Sequence, residues 1–441
     1  MRVELDQWFE PPMRSRRFAM FACVVAGATA LAQAPATRPL PTPHTLYAAV
    51  GAELTRYDLD VTQATLTRRE SVTLPANVQE AAWHPARGHL YVAWSNGGAS
   101  YAGSGGGARA SGDRHGVTAF RIDPASGALA QDGQAITLRA RPIHVTTDVP
   151  GTHLLVAYNA PSGVTVHDIR PDGKLGGEIP PAARLDGGIY GHQVRVLPSN
   201  RAAVLVTRGN APTTKTPEDP GALKVFAYKD GVLSNGASIA PHGGFGFQSR
   251  HLDFHPTRPW AFLSLERQNT LEVFSIVGDN TLGQRALYSK STLAQPGSAR
   301  PAQAASTVRM HPSGRVVYVG NRAGGTTTDA QGVAAFAGGE NSIAVFAIDQ
   351  RTGEPSLVQS ADTHGFFPRT FSLDSGGRVL VVGNQNPMPV REDGRVRTVP
   401  ANLAVFRISD DGRLTFARTY DLEANLEAGR SLFWMGIVPL R

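Results

Sequence analysis

The sequence predicts an all-β fold, a seven-bladed β-propeller closed by its own C-terminal strand, and three observations lead to it. Short runs with apolar residues at alternate positions follow one another along the chain, which is the pattern of half-buried strands. One such unit, at 250–276, recurs at 306–349 and again at 369–409. The last unit has only its first strand, LFWMGIVP at 432–439, and the strands it lacks stand at the start of the repeat region.

The repeat has a register that can be set on the residue that ends the first strand of each unit. This alignment gives seven anchors: Pro85, Pro150, Pro198, Pro256, Pro312, Ser375 and Pro439. The strands that complete the last unit are HTLYAAVG at 44–51, ELTRYDLD at 53–60 and ATLTRRESVTL at 64–74. Seven four-stranded sheets, one of them shared between the two ends of the chain, describe a closed propeller without an open edge.

The N-terminal region has the pattern of a secretory signal peptide over residues 1–32. Arginines at 14, 16 and 17 precede an apolar run at 18–32, and Ala30-Leu31-Ala32 is an A-x-A cleavage site. The apolar run is too short for a membrane anchor, and the pattern begins at Met13, which indicates that Met13 is the true start. We therefore predict a linker at 33–43, the propeller at 44–441, and a periplasmic or secreted protein, whether by the general or the twin-arginine route.

Composition excludes several classes of function. The net charge is +7 without a basic tract, which disfavours nucleic-acid binding. The single cysteine, Cys23, lies in the signal segment, so the mature chain has no thiol for a disulfide or a metal. Neither G-x-S-x-G nor H-E-x-x-H occurs. We expect no cofactor, no metal, no membrane contact after cleavage, and a monomer.

Four inserts follow the second strand of their units, at 97–115, 210–221, 323–340 and 386–400. Because all four share one place in the repeat, they should lie on one rim of the disc, where they could wall a pocket. The Gly/Ser-rich insert at 97–115 lacks the helix that a phosphate-binding glycine loop requires, so a loop is the simpler interpretation.

Two positions of the repeat carry the functional argument. The slot six residues before each anchor opens the strand that lines the channel, and it holds Gln79, His144, His192, Arg250, Ser306, Arg369 and Phe433. The slot ten residues after the anchor holds Ser95, Ala160, Arg208, Glu266, Arg322 and Gln385. The slots four and two before the anchor are mostly apolar, as Leu252 and Phe254 show. These slots predict a channel that is apolar except at one polar level.

The residues at that level suit an anionic substrate that needs acid–base help. Arginine grips carboxylate or phosphate with two donors, and Glu266 among arginines should stay ionised and able to act as a base. Histidine can supply the complementary acid. Structural alternatives stay open: Glu266 and Arg322 could form an inter-blade ion pair, and His144 could bond only a backbone group.

Other conspicuous side chains have plainer interpretations. His84, His255 and His311 each precede an anchor proline on separate blades, which indicates repeated turn chemistry and no shared metal site. The tryptophans at 83, 260 and 434 are expected to pack in the core or along strands.

The motifs RHLDFHP, HPSGRVVYVGNR and FPRTFSLDSGGRVLVVGNQ resemble the seven-bladed propeller lactonases, which include bacterial 6-phosphogluconolactonase and the fungal carboxy-muconate cyclase. The resemblance implies an active site in the central channel on His192, Arg250, Glu266 and Arg322, and Arg369 is also typical. Many bacterial members have D-L-G where this chain has Thr207-Arg208-Gly209. That departure and the export signal weaken the case for 6-phosphogluconolactone itself.

The sequence therefore predicts an exported hydrolase that opens an anionic lactone. The expected small-molecule partner is an anionic lactone or a sugar acid. The predicted catalytic residues are Glu266, His192 and Arg322, and the predicted substrate contacts are Arg250, Arg369, Arg208, Gln385 and His144. Two alternatives remain: a non-catalytic propeller that binds a ligand or protein on its loop-bearing rim, and a muconate-type lactonizing cyclase.

Overall fold

The structure, a computed structural model, describes residues 43–86, 88–97, 112–297, 300, 302–424 and 429–440. Those residues form an all-β chain with one short 3₁₀ turn at Pro241–Gly244. The predicted signal peptide at 1–32 and all of the predicted linker except Pro43 lie outside the described residues. Among the described residues, the structure has no helix long and apolar enough to cross a bilayer.

Seven sheets follow one another as blades in the described part of the chain, which confirms the predicted propeller. The strands of the first four blades are β1 (His44–Val50), β2 (Glu53–Asp60) and β3 (Thr65–Thr73); β4 (Asn77–Trp83), β5 (His89–Ser95), β6 (His115–Ile122), β7 (Leu129–Gln131) and β8 (Ile136–Thr137); β9 (Pro142–Thr147), β10 (His153–Asn159), β11 (Ser162–Ile169) and β12 (Leu175–Ile179); and β13 (Gly191–Val196), β14 (Ala202–Thr207), β15 (Ala222–Lys229) and β16 (Val232–Ile239).

The strands of the remaining blades are β17 (Ser249–Phe254), β18 (Trp260–Leu265), β19 (Thr270–Val277), β20 (Thr281–Leu282) and β21 (Tyr288–Ser291); β22 (Ala304–Met310), β23 (Val316–Arg322), β24 (Thr326–Thr328), β25 (Ala334–Phe336), β26 (Ser342–Ile348) and β27 (Pro355–Asp362); and β28 (Pro368–Leu373), β29 (Val379–Asn384), β30 (Met388–Glu392), β31 (Arg395–Val399), β32 (Asn402–Ile408) and β33 (Leu414–Asp421). The last strand, β34 (Leu432–Pro439), belongs to the first blade. The hairpins β24–β25 and β30–β31 form sheets of their own inside the inserts of blades 6 and 7.

The ring is closed as the sequence predicts. Strand β34 pairs antiparallel with β1, with Leu46 opposite Ile437 and Thr45 opposite Val438, so the first blade is built from both ends of the chain. Each closing pair joins residues that lie nearly the whole chain apart, so the first blade is complete only when the end of the chain has returned to its start.

The hydrophobic core lies between the blades. A typical cluster packs Val204 and Leu223 of blade 4 against Leu252, Leu263 and Phe274 of blade 5, all of them fully or almost fully buried. Burying a Leu, Val or Phe side chain contributes about 1.5–3 kcal/mol each, so these interfaces fix how the inner strands face one another.

A β-bulge near the start of the inner strands overturns the predicted apolar channel. In β13, Gly191 pairs with Thr207 and Gln193 pairs with Val206, so His192 is skipped in the ladder. The inner strands of blades 5, 7, 1 and 2 skip Arg250, Arg369, Phe433 and Gln79 in the same way. A single extra residue moves every later side chain to the opposite face of the strand.

The bulge therefore turns the apolar slots away from the channel. Leu252 and Val308, four residues before their anchors, are fully buried in the cores between blades. Polar residues five and three before the anchors face the channel instead, among them Asp253 and Arg309, which line its cavity. The prediction of a channel that is polar at one level is wrong, because alternation was counted through the bulge.

The register of blade 3 also differs by one residue from the alignment on Pro150. In five other blades the residue before the anchor bonds the residue four after it, as Leu197 N–H does to the Ala202 carbonyl. In blade 3 the corresponding bond runs from Asp148 to His153, so Val149 is the true equivalent of the anchor. Ile143, not His144, is the bulged residue of β9. The corresponding position after the anchor is Asn159, not Ala160.

The turn role predicted for three histidines is confirmed, since the Nδ1 atoms of His84 and His255 accept the N–H groups of Ala86 and Thr257. Two of the three also contact the neighbouring blade. His311 Nε2 lies 2.9 Å from the Gly377 carbonyl, and its Nδ1 accepts the Ser313 N–H. His84 makes the equivalent contact with Gly151. Of the three tryptophans, 260 and 434 are buried, whereas Trp83 ends strand β4 and is 38% exposed, so it is not part of the core.

Candidate active site

Glu266 is the centre of a buried ion cluster that joins three successive blades. Its Oε1 lies 2.9 Å from Arg322 Nη2 and 3.3 Å from Arg208 Nη1, and its Oε2 lies 3.6 Å from Arg250 Nε. Arg208 belongs to blade 4, Glu266 and Arg250 to blade 5, and Arg322 to blade 6. The predicted inter-blade ion pair therefore exists, as part of a larger cluster.

Backbone hydrogen bonds place these side chains. The Glu266 N–H donates to the Gln248 carbonyl, and the Ala305 N–H of the next blade donates to the Glu266 carbonyl. Arg208 follows β14 directly, and its N–H bonds the Tyr190 carbonyl. The bulge in β17 places Arg250 beside them. Strand ends and one bulge thus bring residues from three blades to one point.

The cluster carries more positive than negative charge, and it is almost inaccessible to solvent. Glu266, Arg250 and Arg322 are each at most 2% exposed. Burial opposes the ionisation of Glu266, but the charges of Arg208, Arg322 and Arg250 outweigh it and lower the pKa of this carboxyl to about 2. The carboxylate is therefore ionised at every physiological pH, as the sequence predicts.

Arg250 is the least satisfied member of the cluster. Its Nε and Nη1 atoms are buried without a hydrogen-bond partner among the described residues. Burial, followed by the charges of Arg322 and Arg369, lowers the pKa of Arg250. A buried guanidinium with unused donors is a ready site for an added anion.

Three arginines lie over aromatic rings on the insert side of the channel. The guanidinium carbons of Arg208, Arg322 and Arg369 stand 4.0, 4.8 and 3.9 Å from the ring centres of Tyr190, Phe367 and Phe433 respectively. These stacks hold the planar guanidinium groups in fixed orientations. Burial and the charge of Arg322 lower the pKa of Arg369 to about 9.

His192 lies beside the cluster and starts a row of three buried histidines. Its ring centre is 5.2 Å from that of His251, which is 6.1 Å from that of His144. Burial, followed by the charge of Arg250, lowers the pKa of His192 well below its ordinary value. The ring is therefore neutral near pH 7, which suits an orienting donor or acceptor better than a protonated acid.

The predicted site residues are only partly brought together. Arg208, Arg250, Glu266 and Arg322 are in contact, with His192 and Arg369 close to them, whereas His144 lies one level further along the channel because of the register of blade 3. It contacts the Gln193 side chain at 3.5 Å, and no backbone bond to its ring is found among the described residues. Gln385 lies at the edge, 3.4 Å from Ser431 Oγ.

Sequence reasoning missed several residues near the cluster. Arg141 is buried, and its Nε donates to Gln79 Oε1 at 2.8 Å, but it precedes β9 and lies outside both repeat slots that were compared. His251 was passed over because it follows the slot that was counted. Asn159 stands ten residues after Val149, so it was missed because blade 3 was aligned on Pro150. The hydrogen bond from Asp148 to His153 shows the correct register.

Within the described residues, no group of three or more His, Cys, Asp or Glu side chains is arranged to hold a metal ion. The cluster instead combines one permanently ionised carboxylate, several oriented guanidinium groups and a neutral imidazole. Such a set can bind a carboxylate or phosphate, stabilise an oxyanion and accept a proton.

Comparisons with known proteins agree with this fold. Residues 44–391 match the family model described as Lactonase, 7-bladed beta-propeller. The 6-phosphogluconolactonase of Bacillus subtilis is 29% identical over 301 residues, covering 66% of this chain and 78% of that protein. The enzyme of the same name from Serratia proteamaculans is 25% identical over 376 residues, covering 84% and 91%. The solved structure of the Pseudomonas aeruginosa periplasmic gluconolactonase PpgL superposes with a TM-score of 0.65 at 20% identity, covering 91% of this chain and all of that one.

Proposed function

The chain belongs to the seven-bladed β-propeller lactonase family, and from this premise we propose that it is an enzyme that hydrolyses an anionic lactone at the Glu266 cluster. The observation that carries the proposal is one carboxylate held by Arg208, Arg250 and Arg322, with unused donors on Arg250. Excess buried positive charge favours a substrate that brings a carboxylate or phosphate.

In the proposed reaction, Arg250, Arg322 and Arg369 hold the anionic group and stabilise the charge that develops on the lactone carbonyl oxygen. A water oxygen bonds to the carbonyl carbon while Glu266 takes one of the water protons. The ring C–O bond then breaks, and Glu266 returns that proton to the leaving alkoxide. The product is a hydroxy acid, and its carboxyl group releases a proton to solvent. His192 orients the water or substrate as a neutral donor.

A carboxylate with a pKa of about 2 is a weak base, but a bound anionic substrate would make Glu266 more basic. An anion among the arginines shares their positive charge and raises the pKa of Glu266 towards the range that proton transfer needs. The proposal therefore links substrate charge to turnover as well as to binding. Hydrolysis is favoured over lactone closure because the curated relatives carry the name of a lactonase.

The proposal is tested by assaying purified protein with a pH indicator against a panel of lactones that carry phosphate, carboxylate or no charge. Protein-dependent acid release that is lost in Glu266→Gln supports the proposal. Glu272→Gln is the matched control, because Glu272 is a half-buried carboxylate of the same blade on its third strand, β19. Absence of acid release from every anionic lactone would overturn it.

Export is a separate proposal that rests on the sequence of residues 13–32 alone. The mature protein is expected to begin at Gln33, after the A-x-A site. N-terminal sequencing of protein recovered from the periplasm or medium tests this, and a mature form that retains Met13 contradicts it.

A further inference from the structure

The opposite end of the channel holds a cavity of about 470 Å³. We use "anchor-side cavity" for this space, because Pro85, Pro312 and Ser375 stand at its edge, whereas the Glu266 cluster lies at the end where the inserts begin. All seven inner strands contribute to its wall, so it is the other mouth of the central channel and not a crevice between two blades. Its volume is in the range of small-molecule sites.

A layer of side chains separates this cavity from the Glu266 cluster. His144 lines the cavity, His251 packs between His144 and His192, and Gln193 fills the space beside them with its amide 3.5 Å from His144 Nε2. All four side chains are at least nine-tenths buried. A molecule in the anchor-side cavity therefore does not reach Glu266.

The charges of the cavity are balanced, unlike those of the cluster. Asp374, one of its carboxylates, accepts the Arg378 and Val379 N–H groups and lies 3.8 Å from the Arg378 guanidinium. Arg195 donates to Asp253 at 2.9 Å, and Asp253 also accepts the Met310 N–H, so that pair is satisfied internally. Arg309 lines the cavity without a hydrogen bond or ion pair to any described residue, and Glu80 lines the wall near it. Burial raises the pKa of Glu80 to about 7, so near neutrality this carboxyl can both donate and accept.

Aromatic and hydroxyl groups complete the wall. Trp83 is 38% exposed although it is part of an inner strand, and it lines the cavity together with the buried Trp434. Thr147 and Ser372 add hydroxyl groups. A half-exposed indole and an unused guanidinium that line the same cavity are features that a folded core does not require, since the indole leaves apolar surface in water.

We propose that the anchor-side cavity is a second ligand site that binds a neutral saccharide of one or two rings. A sugar hydroxyl can accept from Arg309 and donate to Glu80, which a carboxylate ligand cannot do. The C–H face of a sugar ring is apolar and slightly positive, which matches the negative face of an indole. A cavity with balanced charge has no preference for an anion, so the two ends of the channel bind different chemical classes.

The test is a titration of the intact protein with a panel of common neutral mono- and disaccharides, read by tryptophan fluorescence and by ligand-observed NMR. At least one sugar should give saturable one-to-one binding. Arg309→Met should weaken that binding by about tenfold or more, because a hydrogen bond to a charged group is lost. Arg315→Met is the matched control, since Arg315 is an exposed arginine of the same blade outside the cavity.

Each outcome decides for or against the site. Binding that survives Glu266→Gln, is lost in Trp83→Ala and is unchanged in Arg315→Met supports it. Absence of saturable binding by any sugar of the panel overturns it, as does binding that is unaffected by Arg309→Met. Binding of sugar acids only, or binding abolished by Glu266→Gln, would place the ligand at the other end and also overturn it. None of these results depends on lactone hydrolysis.

Discussion

The two ends of the central channel are both lined by the inner strands of the blades, but they differ in charge. At the insert side, Glu266 faces three arginines within 4 Å, and all the partners are buried. At the anchor side, Arg195 and Asp253 neutralise each other, and Arg309 stands near a carboxyl of intermediate acidity. One end has cations in excess of anions, and the other has them in balance.

This difference separates a reactive site from a binding site. Excess buried positive charge is costly in the empty protein and is relieved by an incoming anion, so it favours selective binding of a charged substrate. Balanced charge with exposed indole surface favours a neutral ligand and offers no strong base. Variants that act on one end alone test this difference between the two ends.

The largest effect is expected from Glu266→Gln at the insert side. Turnover of an anionic lactone should fall about 10²–10⁴-fold, because the variant lacks the general base. The melting temperature should fall as well, since three arginines lose their shared counter-charge. The deciding quantity is kcat per folded molecule, measured well below the melting temperature, beside Glu272→Gln. An unchanged kcat would reduce Glu266 to a structural ion-pair partner.

A smaller effect is expected from Arg250→Lys. Lysine keeps the charge but replaces a two-pronged grip with a single ammonium, so KM for an anionic lactone should rise about 10–100-fold, with a lesser fall in kcat. Initial rates over a range of substrate concentrations separate the two constants. A loss confined to kcat would show that Arg250 acts on the transition state alone and not in substrate binding.

The contribution of Glu266 to the free energy of unfolding should depend on pH between 4.5 and about 2. The pKa of Glu266 lies at about 2 in the folded protein, below its ordinary value of 4.5, so its contribution to stability is complete above pH 4.5 and is lost as the pH falls towards 2. The difference in free energy of unfolding between wild type and Glu266→Gln, on the order of a few kcal/mol, should shrink over that window. Denaturant titrations at several pH values measure it; a constant difference contradicts the assigned pKa.

The smallest effect is expected from Arg309→Met on lactone turnover. Because the histidine layer separates Arg309 from Glu266, kcat/KM for an anionic lactone should stay within about twofold of wild type, a change of less than half a kcal/mol. The same preparation serves the sugar titration. A large fall in kcat/KM would show that the two ends act as one site.

The sequence predicted the seven blades, the closing strand and most of the Glu266 cluster, because these depend on strand alternation and on a repeat that is visible by eye. It failed where the pattern is interrupted without a sequence signal. The bulges at His192 and Arg250 reverse which side chains face the channel. The bulged residues share no residue type, so the bulges cannot be recognised in the sequence. Pro150 offered a plausible anchor one residue from the true one, which placed His144 at the wrong level. Arg141 lies outside the repeat slots, so only the folded chain brings it to Gln79.

The central claim is that the insert-side cluster couples substrate charge to catalysis. The most direct measurement compares kcat and KM for two lactones that differ only in one carboxylate or phosphate group. The anionic lactone should have a lower KM and also a higher kcat, with an advantage in kcat/KM of about 10²-fold or more, because the anion both binds the arginines and raises the basicity of Glu266. Equal constants for the two lactones, or hydrolysis of the neutral one alone, would contradict the claim.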